Sequence, residues 1–203
     1  MSNSLSDILS FEGDGTLLLL GDIAPLESLI SRATERDMAA IDGFTSPSRR
    51  AERLAWRIMV RESLGREIEV DYSDGGVPQI NDLQYNHISV SHCADRVMVA
   101  LSKKSCGVDI ERLDRCFRNI APRYMSQEEL LLASDTAAMA AVWCTKECLY
   151  KMAGTSGIDL RHDIRITALD LTAATITGQV KEGEPLTMHI MRPDEEHIAV
   201  YHI

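Results

Sequence analysis

No stretch of this 203-residue sequence is apolar for long enough to cross a bilayer. The run TLLLL, Thr16 to Leu20, falls far short of the roughly 20 residues a spanning helix needs. The opening MSNSLSDILSFEGDG has neither the basic lead nor the apolar segment of a signal peptide, so a cytoplasmic protein is expected. Basic side chains are in the minority, 21 Lys and Arg against 31 Asp and Glu, for a net charge of −10. That balance argues against a nonspecific nucleic-acid or anionic-membrane binder, and it requires any anionic ligand to be met by a local cationic cluster. The five cysteines, Cys93, Cys106, Cys116, Cys144 and Cys148, are odd in number and form no CxxC pair, which fits reduced thiols rather than a disulfide framework. Cys144 and Cys148 share a helix face, but no His or Cys neighbour completes a soft-metal site, and they read as small core residues. Low-complexity segments and short-period repeats are also missing. What is present is a 45% hydrophobic chain, long enough for one domain or two small halves with a real core.

Along the chain, a strand at Thr16–Leu20 precedes a helix expected from about Leu26 to Ile41. A second helix follows, with Ser46 and Pro47 as its start and Gly65 as its stop. Leu54 and Ile58 mark its core stripe, while Arg49, Arg53, Arg57 and Arg61 recur every four residues with Arg50 beside them. This is the local cationic cluster an anionic ligand would need. Of the five, Arg57 and Arg61 are assigned to a solvated helix face or to packing against the other half. A strand at Ile68–Tyr72 and a turn, SDGGVP, lead to HISVSHCADRVMVALS, where Ile88 and Val90 alternate with Ser89 and Ser91. His92 then falls at a strand end beside a tight connection, with Val97–Leu101 as the next strand. Such a histidine is more often a structural hydrogen-bonder than a ligand contact.

In CGVDIERL, Val108 and Ile110 alternate with Asp109 and Glu111, which puts both carboxylates on one side of a strand. Neighbouring carboxylates repel unless a cation sits between them, and a hard divalent ion with oxygen ligands is the usual resident. A hydrated strand face is the alternative. Glu147, in the helix segment WCTKECLYK, is the candidate third carboxylate, although Glu147 and Lys151 at i and i+4 also fit a surface ion pair. Between these elements, Ser126 and Glu129 form the S-x-x-E of a capping box. A helix from about Thr136 to Met152 closes at Gly154, and the tail from Ile164 reads as three short strands: Ile164–Leu169, Ile176–Val180 with Leu186–Met191, and Ile198–Ile203.

GVDIE followed some thirty residues later by WCTKECLYK resembles the paired signature of the 4'-phosphopantetheinyl transferases, whose second motif reads W/F-x-x-K-E-x-x-x-K. SVSH matches that family's serine-histidine segment, and RYMSQEE its aromatic and glutamate stretch. The resemblance runs from about Phe44 onward and points to the two-halved, surfactin-synthetase-activating type. It implies an enzyme that transfers the phosphopantetheine arm of coenzyme A to a serine of an apo acyl or peptidyl carrier protein, releasing 3',5'-ADP. By the same resemblance, Asp109, Glu111 and Glu147 would hold Mg²⁺, or Mn²⁺. Lys146 and Lys151 would approach the pyrophosphate of coenzyme A, and Ser91 and His92 with some of Arg49, Arg50 and Arg53 would meet a phosphate. Glu129 would act as general base, with Glu147 or a metal-bound water as rivals.

The implied fold is α+β with two pseudo-symmetric halves, residues 1–104 and 105–203, each a long helix on a small antiparallel sheet, and the active site in the cleft between them. A loose two-fold rhythm of strand, long helix and closing strands agrees with it. A monomer acting as its own pseudo-dimer is expected. Cys148 stands where the family carries alanine or serine, and the linker between the two motifs is short, which bears on carrier choice. Carrier proteins are acidic, so RLDRCFRNIAPR, with Arg112, Arg115, Arg118 and Arg123 around Phe117, is the candidate docking patch. Another Mg²⁺-dependent coenzyme A or nucleotide pyrophosphate enzyme, such as a hydrolase, or a catalytically silent binding module, are the alternative functions.

Overall fold

The computed structural model describes residues 9–13, 15–73 and 77–203. Part of the expected SDGGVP turn, residues 74–76, and most of the N-terminal segment lie outside the described residues. The architecture is α+β, and the chain divides into two compact units. One comprises Met1–Asp71 with Pro78–Lys104, the other Tyr72–Val77 with Ser105–Ile203.

In the first unit, β1 (Leu9–Gly13), β2 (Thr16–Asp22), β5 (His87–Cys93) and β6 (Arg96–Ser102) form an antiparallel sheet in the order β1-β2-β6-β5. Strand β1 was not anticipated. Leu17 to Leu20 and Val97 to Leu101 are buried without a break, so the central strands β2 and β6 show no polar alternation. The short strands β3 (Val70–Tyr72) and β4 (Pro78–Ile80) form a separate ribbon. Helix α3 (Pro47–Leu64) packs on β2 and β6. Pro47 opens it and Gly65 closes it with a left-handed φ of 64°, so its span is the one its sequence signals predict.

The single helix expected from Leu26 to Ile41 is instead two short ones, α1 (Leu26–Ile30) and α2 (Glu35–Ala39). The break comes from Thr34, whose side chain accepts from the Asp37 backbone while Asp37 returns the bond to the Thr34 N–H, starting a new helix. Arg57 and Arg61 do not form a solvated face: both guanidiniums pair with Asp37, Arg57 Nε at 2.9 Å from Oδ1. Arg61 also donates to the Arg32 carbonyl at 2.6 Å. Burial works against the ionised Asp37, but Thr34, Arg57 and Arg61 outweigh it and hold its pKa below the usual value. The stability this group contributes is therefore present above pH 3.8 and lost as pH falls through its lower folded pKa. Asp37→Asn is expected to cost about 1.5–3 kcal/mol in urea unfolding at neutral pH, and its loss of stability at acid pH should be shallower than the wild type's.

In the second unit, β7 (Gly107–Arg112) is followed by α4 (Phe117–Tyr124), α5 (Gln127–Leu132) and α6 (Thr136–Ala153). Four strands, one more than the tail was expected to hold, then follow: β8 (Ile164–Asp170), β9 (Thr175–Val180), β10 (Leu186–Met191) and β11 (His197–His202). The antiparallel sheet has the order β7-β11-β10-β9-β8, with a bulge between Ile166 and Ala168. Helix α6 lies on this sheet against β7, β11, β9 and β8, and it ends at Gly154 with φ 61°. Cys144, Cys148 and Leu149 join Ile164, Ile176, Met188, Ile198 and Val200 in the core beneath it. Glycine is required where α6 comes closest to β7. A Cβ at Gly107 would lie 2.9 Å from the Met152 Sδ and 3.2 Å from the Cys148 carbonyl oxygen. Among the described residues no helix is long and apolar enough to cross a membrane.

Candidate active site

The site of the second unit is built from β7 and α6. Asp109 and Glu111 stand opposite Val200 and Ile198 of β11, whose side chains belong to the core under α6, so both carboxylates are on the helix side of the sheet. On α6, Trp143, Glu147 and Lys151 follow one another at i, i+4 and i+8 and share a face. Lys151 Nζ donates to Asp109 Oδ1 at 2.8 Å and to the Val108 carbonyl at 2.9 Å. Cys148 Sγ donates to the Val200 carbonyl at 3.3 Å.

Glu111 is gripped from the other side. Arg115 forms an ion pair with it, and Trp143 also favours its ionised form. The Arg115 guanidinium lies 4.5 Å from the Trp143 ring centre and 5.4 Å from that of Phe117. Tyr124 meets Trp143 edge-on at 5.0 Å and anchors its own hydroxyl on the Met139 carbonyl at 3.0 Å.

The charges report how crowded this site is. Burial, then the negative charge of Asp109, push Glu111 up to about 7; Glu147 adds to the push, and Arg115 and Trp143 oppose it. Burial and Asp109 also raise Glu147, against Lys151 and Arg115. For Lys151, burial disfavours the ammonium, but Asp109, Cys148 and Glu147 outweigh it and the pKa is raised. Asp109 raises both Glu111 and Glu147, and carboxylates crowded in this way are a donor set suited to a hard cation. Among the described residues, however, no three His, Cys, Asp or Glu side chains are gathered as a ready metal centre. Asp109 and Glu111 instead engage Lys151 and Arg115.

The raised Glu111 pKa fixes a pH dependence. Because the folded value, about 7, lies above the ordinary glutamate value of 4.5, the folded state favours the protonated form. This group's contribution is fully present below pH 4.5 and is lost as pH rises through about 7. In chelator-treated protein, stability should fall from pH 5 to pH 8, and Glu111→Gln should flatten that slope. Thermal melts across the range measure both.

Lys146 and Glu129 are not brought to this group. Lys146 is 0% exposed and gives its ammonium to Glu129 Oε2 at 2.8 Å, the Leu160 carbonyl at 2.8 Å and the Ile164 carbonyl at 2.6 Å. Burial pushes its pKa down, and Glu129 pulls it back. Glu129, 1% exposed, also accepts from the backbone of Ser126 at 2.8 Å and Ile166 at 2.7 Å, which places the expected capping box inside a larger buried hub. The lysine expected at the pyrophosphate and the glutamate expected as base therefore have their hydrogen-bonding capacity spent on tying α6, α5 and β8 together.

In the first unit, His92 lies in the last turn of pairing of β5, with Nε2 3.4 Å from Glu52 of α3; Arg49 is 3.5 Å from the same carboxylate. Arg53 lies over the Phe44 ring at 5.2 Å. Ser91 is buried and Arg50 half-buried. The structure thus gathers Arg49 and His92 around Glu52, a residue the sequence reading passed over, although its i+3 spacing from Arg49 was a signal. Arg115 was read as part of a docking patch, since its partner Glu111 lies across a strand end where no periodicity applies. That patch is also corrected at its centre: Phe117 is 0% exposed, and the exposed apolar side chains nearby are Leu131 and Leu132 at 85% and 45%.

Residues 105–200 match the sequence model of the 4'-phosphopantetheinyl transferase superfamily. The chain is 32% identical over 119 residues to 4'-phosphopantetheinyl transferase Sfp of Bacillus subtilis (strain 168), a match covering 52% of this chain and 53% of that protein. The matched stretch thus spans about half the length of that curated relative. The matched segment contains β7, with Asp109 and Glu111, and the whole of α6, with Trp143, Glu147 and Lys151. Through that segment, a little under half of its length, this chain is similar to the 4'-phosphopantetheinyl transferase superfamily.

Proposed function

We propose that this protein transfers the 4'-phosphopantetheine arm of coenzyme A to a serine hydroxyl of an apo acyl or peptidyl carrier protein, releasing 3',5'-ADP. The observation that carries this reading is the convergence of Asp109, Glu111, Glu147 and Lys151 from β7 and α6, inside the segment that matches the superfamily. Asp109, Glu111 and Glu147 would hold Mg²⁺, which when bound offsets charge on the pyrophosphate. Lys151 is the cation assigned to the phosphoryl oxygens. The serine oxygen forms a new P–O bond to the phosphopantetheine phosphorus as the bond to the ADP oxygen breaks, and that oxygen leaves with the electron pair. Glu147 is assigned to take the serine proton, because burial and Asp109 raise its basicity while it stays partly exposed. Glu129 fits that role less well, since it is enclosed with Lys146. In the first unit, Arg49, Arg50, Arg53, Ser91 and His92 remain the group assigned to a phosphate of coenzyme A. For the carrier, the exposed Arg118 and Arg123 of α4 and the exposed Leu131 and Leu132 of α5 supply the basic and apolar chemistry an acidic partner requires.

Intact-mass spectrometry of an apo acyl carrier protein incubated with coenzyme A, Mg²⁺ and this protein tests the reading. A Mg²⁺-dependent gain of one phosphopantetheine arm, absent with Asp109→Ala and with Glu147→Ala, is the expected result. Hydrolysis of coenzyme A without any modified carrier would overturn it.

A further inference from the structure

The acidic side of β7 carries a cation at each end. Lys151 pairs with Asp109, and Arg115 pairs with Glu111. Glu147, between Trp143 and Lys151 on α6, feels the positive charge of both. Arg115 reaches this place from the connection between β7 and α4, where its backbone carbonyl accepts from the Phe117 N–H at 2.8 Å.

Its side chain is ordered without being enclosed. The guanidinium lies 4.5 Å from the Trp143 ring centre and 5.4 Å from that of Phe117, and Tyr124 braces Trp143 edge-on. The side chain is nevertheless 39% exposed, against 16% for Glu111. An ion pair this open to water contributes little to stability, so stability does not account for the two rings set against it. Nη1 alone serves Glu111, and among the described residues Nε and Nη2 make no hydrogen bond. The donors of a guanidinium lie in its plane and form a fork that matches phosphate oxygens. Much of the freedom this side chain would lose on meeting an anion has been removed in advance.

We infer that Arg115 is a direct contact to the pyrophosphate of coenzyme A, meeting one phosphoryl group with its Nε and Nη2 edge while Nη1 stays on Glu111. The inference rests on the phosphopantetheinyl-transfer reading, and it adds a residue that lies in neither GVDIE nor WCTKECLYK. Each phosphorus of the pyrophosphate carries an ionised oxygen, and Arg115 and Lys151 supply a cation for each from opposite ends of the acidic row. A donor already fixed in place meets the charge that builds as the P–O bond breaks without having to reorganise.

Isothermal titration calorimetry of the full chain in chelator tests it, with coenzyme A and with adenosine 3'-phosphate, which lacks the pyrophosphate. Arg115→Met should weaken coenzyme A binding by about 10–100-fold, the usual worth of a hydrogen bond to a charged group, and leave adenosine 3'-phosphate binding unchanged. Arg115→Lys, which keeps the charge beside Glu111 but not the fork, should also lose affinity for coenzyme A alone, and it carries the test if the methionine variant does not fold. The loss should persist when Arg115→Met is placed in a Glu111→Gln protein. A loss that vanishes in that background would mean that Arg115 acts only by holding Glu111, and it overturns the inference. So does an equal loss for both ligands, or wild-type coenzyme A affinity in both variants. If the wild type modifies an apo acyl carrier protein and neither Arg115 variant loses coenzyme A affinity, the inference alone falls. If the predicted binding losses appear but no carrier is modified, the transfer reading falls and the contact stands.

Discussion

Lys146→Met is expected to lower the free energy of unfolding by about 3–5 kcal/mol, the cost of leaving a buried ion without its partner. Against a typical total of about 5–15 kcal/mol this is a large fraction, and urea titration followed by circular dichroism should show a much earlier midpoint. The reason is the enclosure described for the pair: neither Lys146 nor Glu129 has water to fall back on, at 0% and 1% exposure. Methionine matches the lysine stem in length and removes only the ammonium, so the loss belongs to the charge rather than to packing. Adding Glu129→Gln should recover part of it, because the amide oxygen can still accept a backbone N–H while no buried charge remains. If Lys146→Met were as stable as the wild type and yet could not modify a carrier, the lysine would be acting on substrate and the structural assignment would fail.

Lys151→Met should behave in the opposite way. Its side chain is 27% exposed, so folding should survive with a modest loss. Carrier modification should fall by about 10²–10³, the usual cost of removing one well-placed group that stabilises charge in the transition state. The loss should appear in the turnover rate more than in coenzyme A affinity, because the charge it meets is greatest while the P–O bond is breaking. Lys151→Arg should recover little, since a planar fork does not fit a point that bridges Asp109 Oδ1 and the Val108 carbonyl. A Lys151→Met protein within a few-fold of wild type would remove this residue from the chemistry.

The contrast between these two lysines explains what could be read in the sequence and what could not. Both long helices were legible, because Pro47 and Gly65 bracket one and Gly154 closes the other. Strand β7 was legible through its alternation, which placed Asp109 and Glu111 on one side. Adjacent residues of a helix, however, point about 100° apart, so Lys146 and Glu147 could not both face β7. The motif writes them side by side, and the eye assigns them to one site. The core under β8 decided between them, and the bulge between Ile166 and Ala168 that shapes β8 leaves no periodic trace. The misread helix from Leu26 to Ile41 has the same character. Its apolar rhythm continues across Thr34, and only the reciprocal bond with Asp37 reveals that a new helix begins there.

The sequence contains two tryptophans, and one lies on each of the long helices: Trp56 on α3, 4% exposed, and Trp143 on α6. Each compact unit therefore contains its own single indole fluorophore, and replacing either with phenylalanine silences one unit without touching the other. Two such variants turn ordinary emission spectroscopy into a unit-by-unit record of melting, with no dye and no isotope. Because Trp143 is in contact with Arg115, the ion-pair partner of Glu111, the same signal in the Trp56→Phe protein becomes an optical gauge of ligands arriving at β7 and α6.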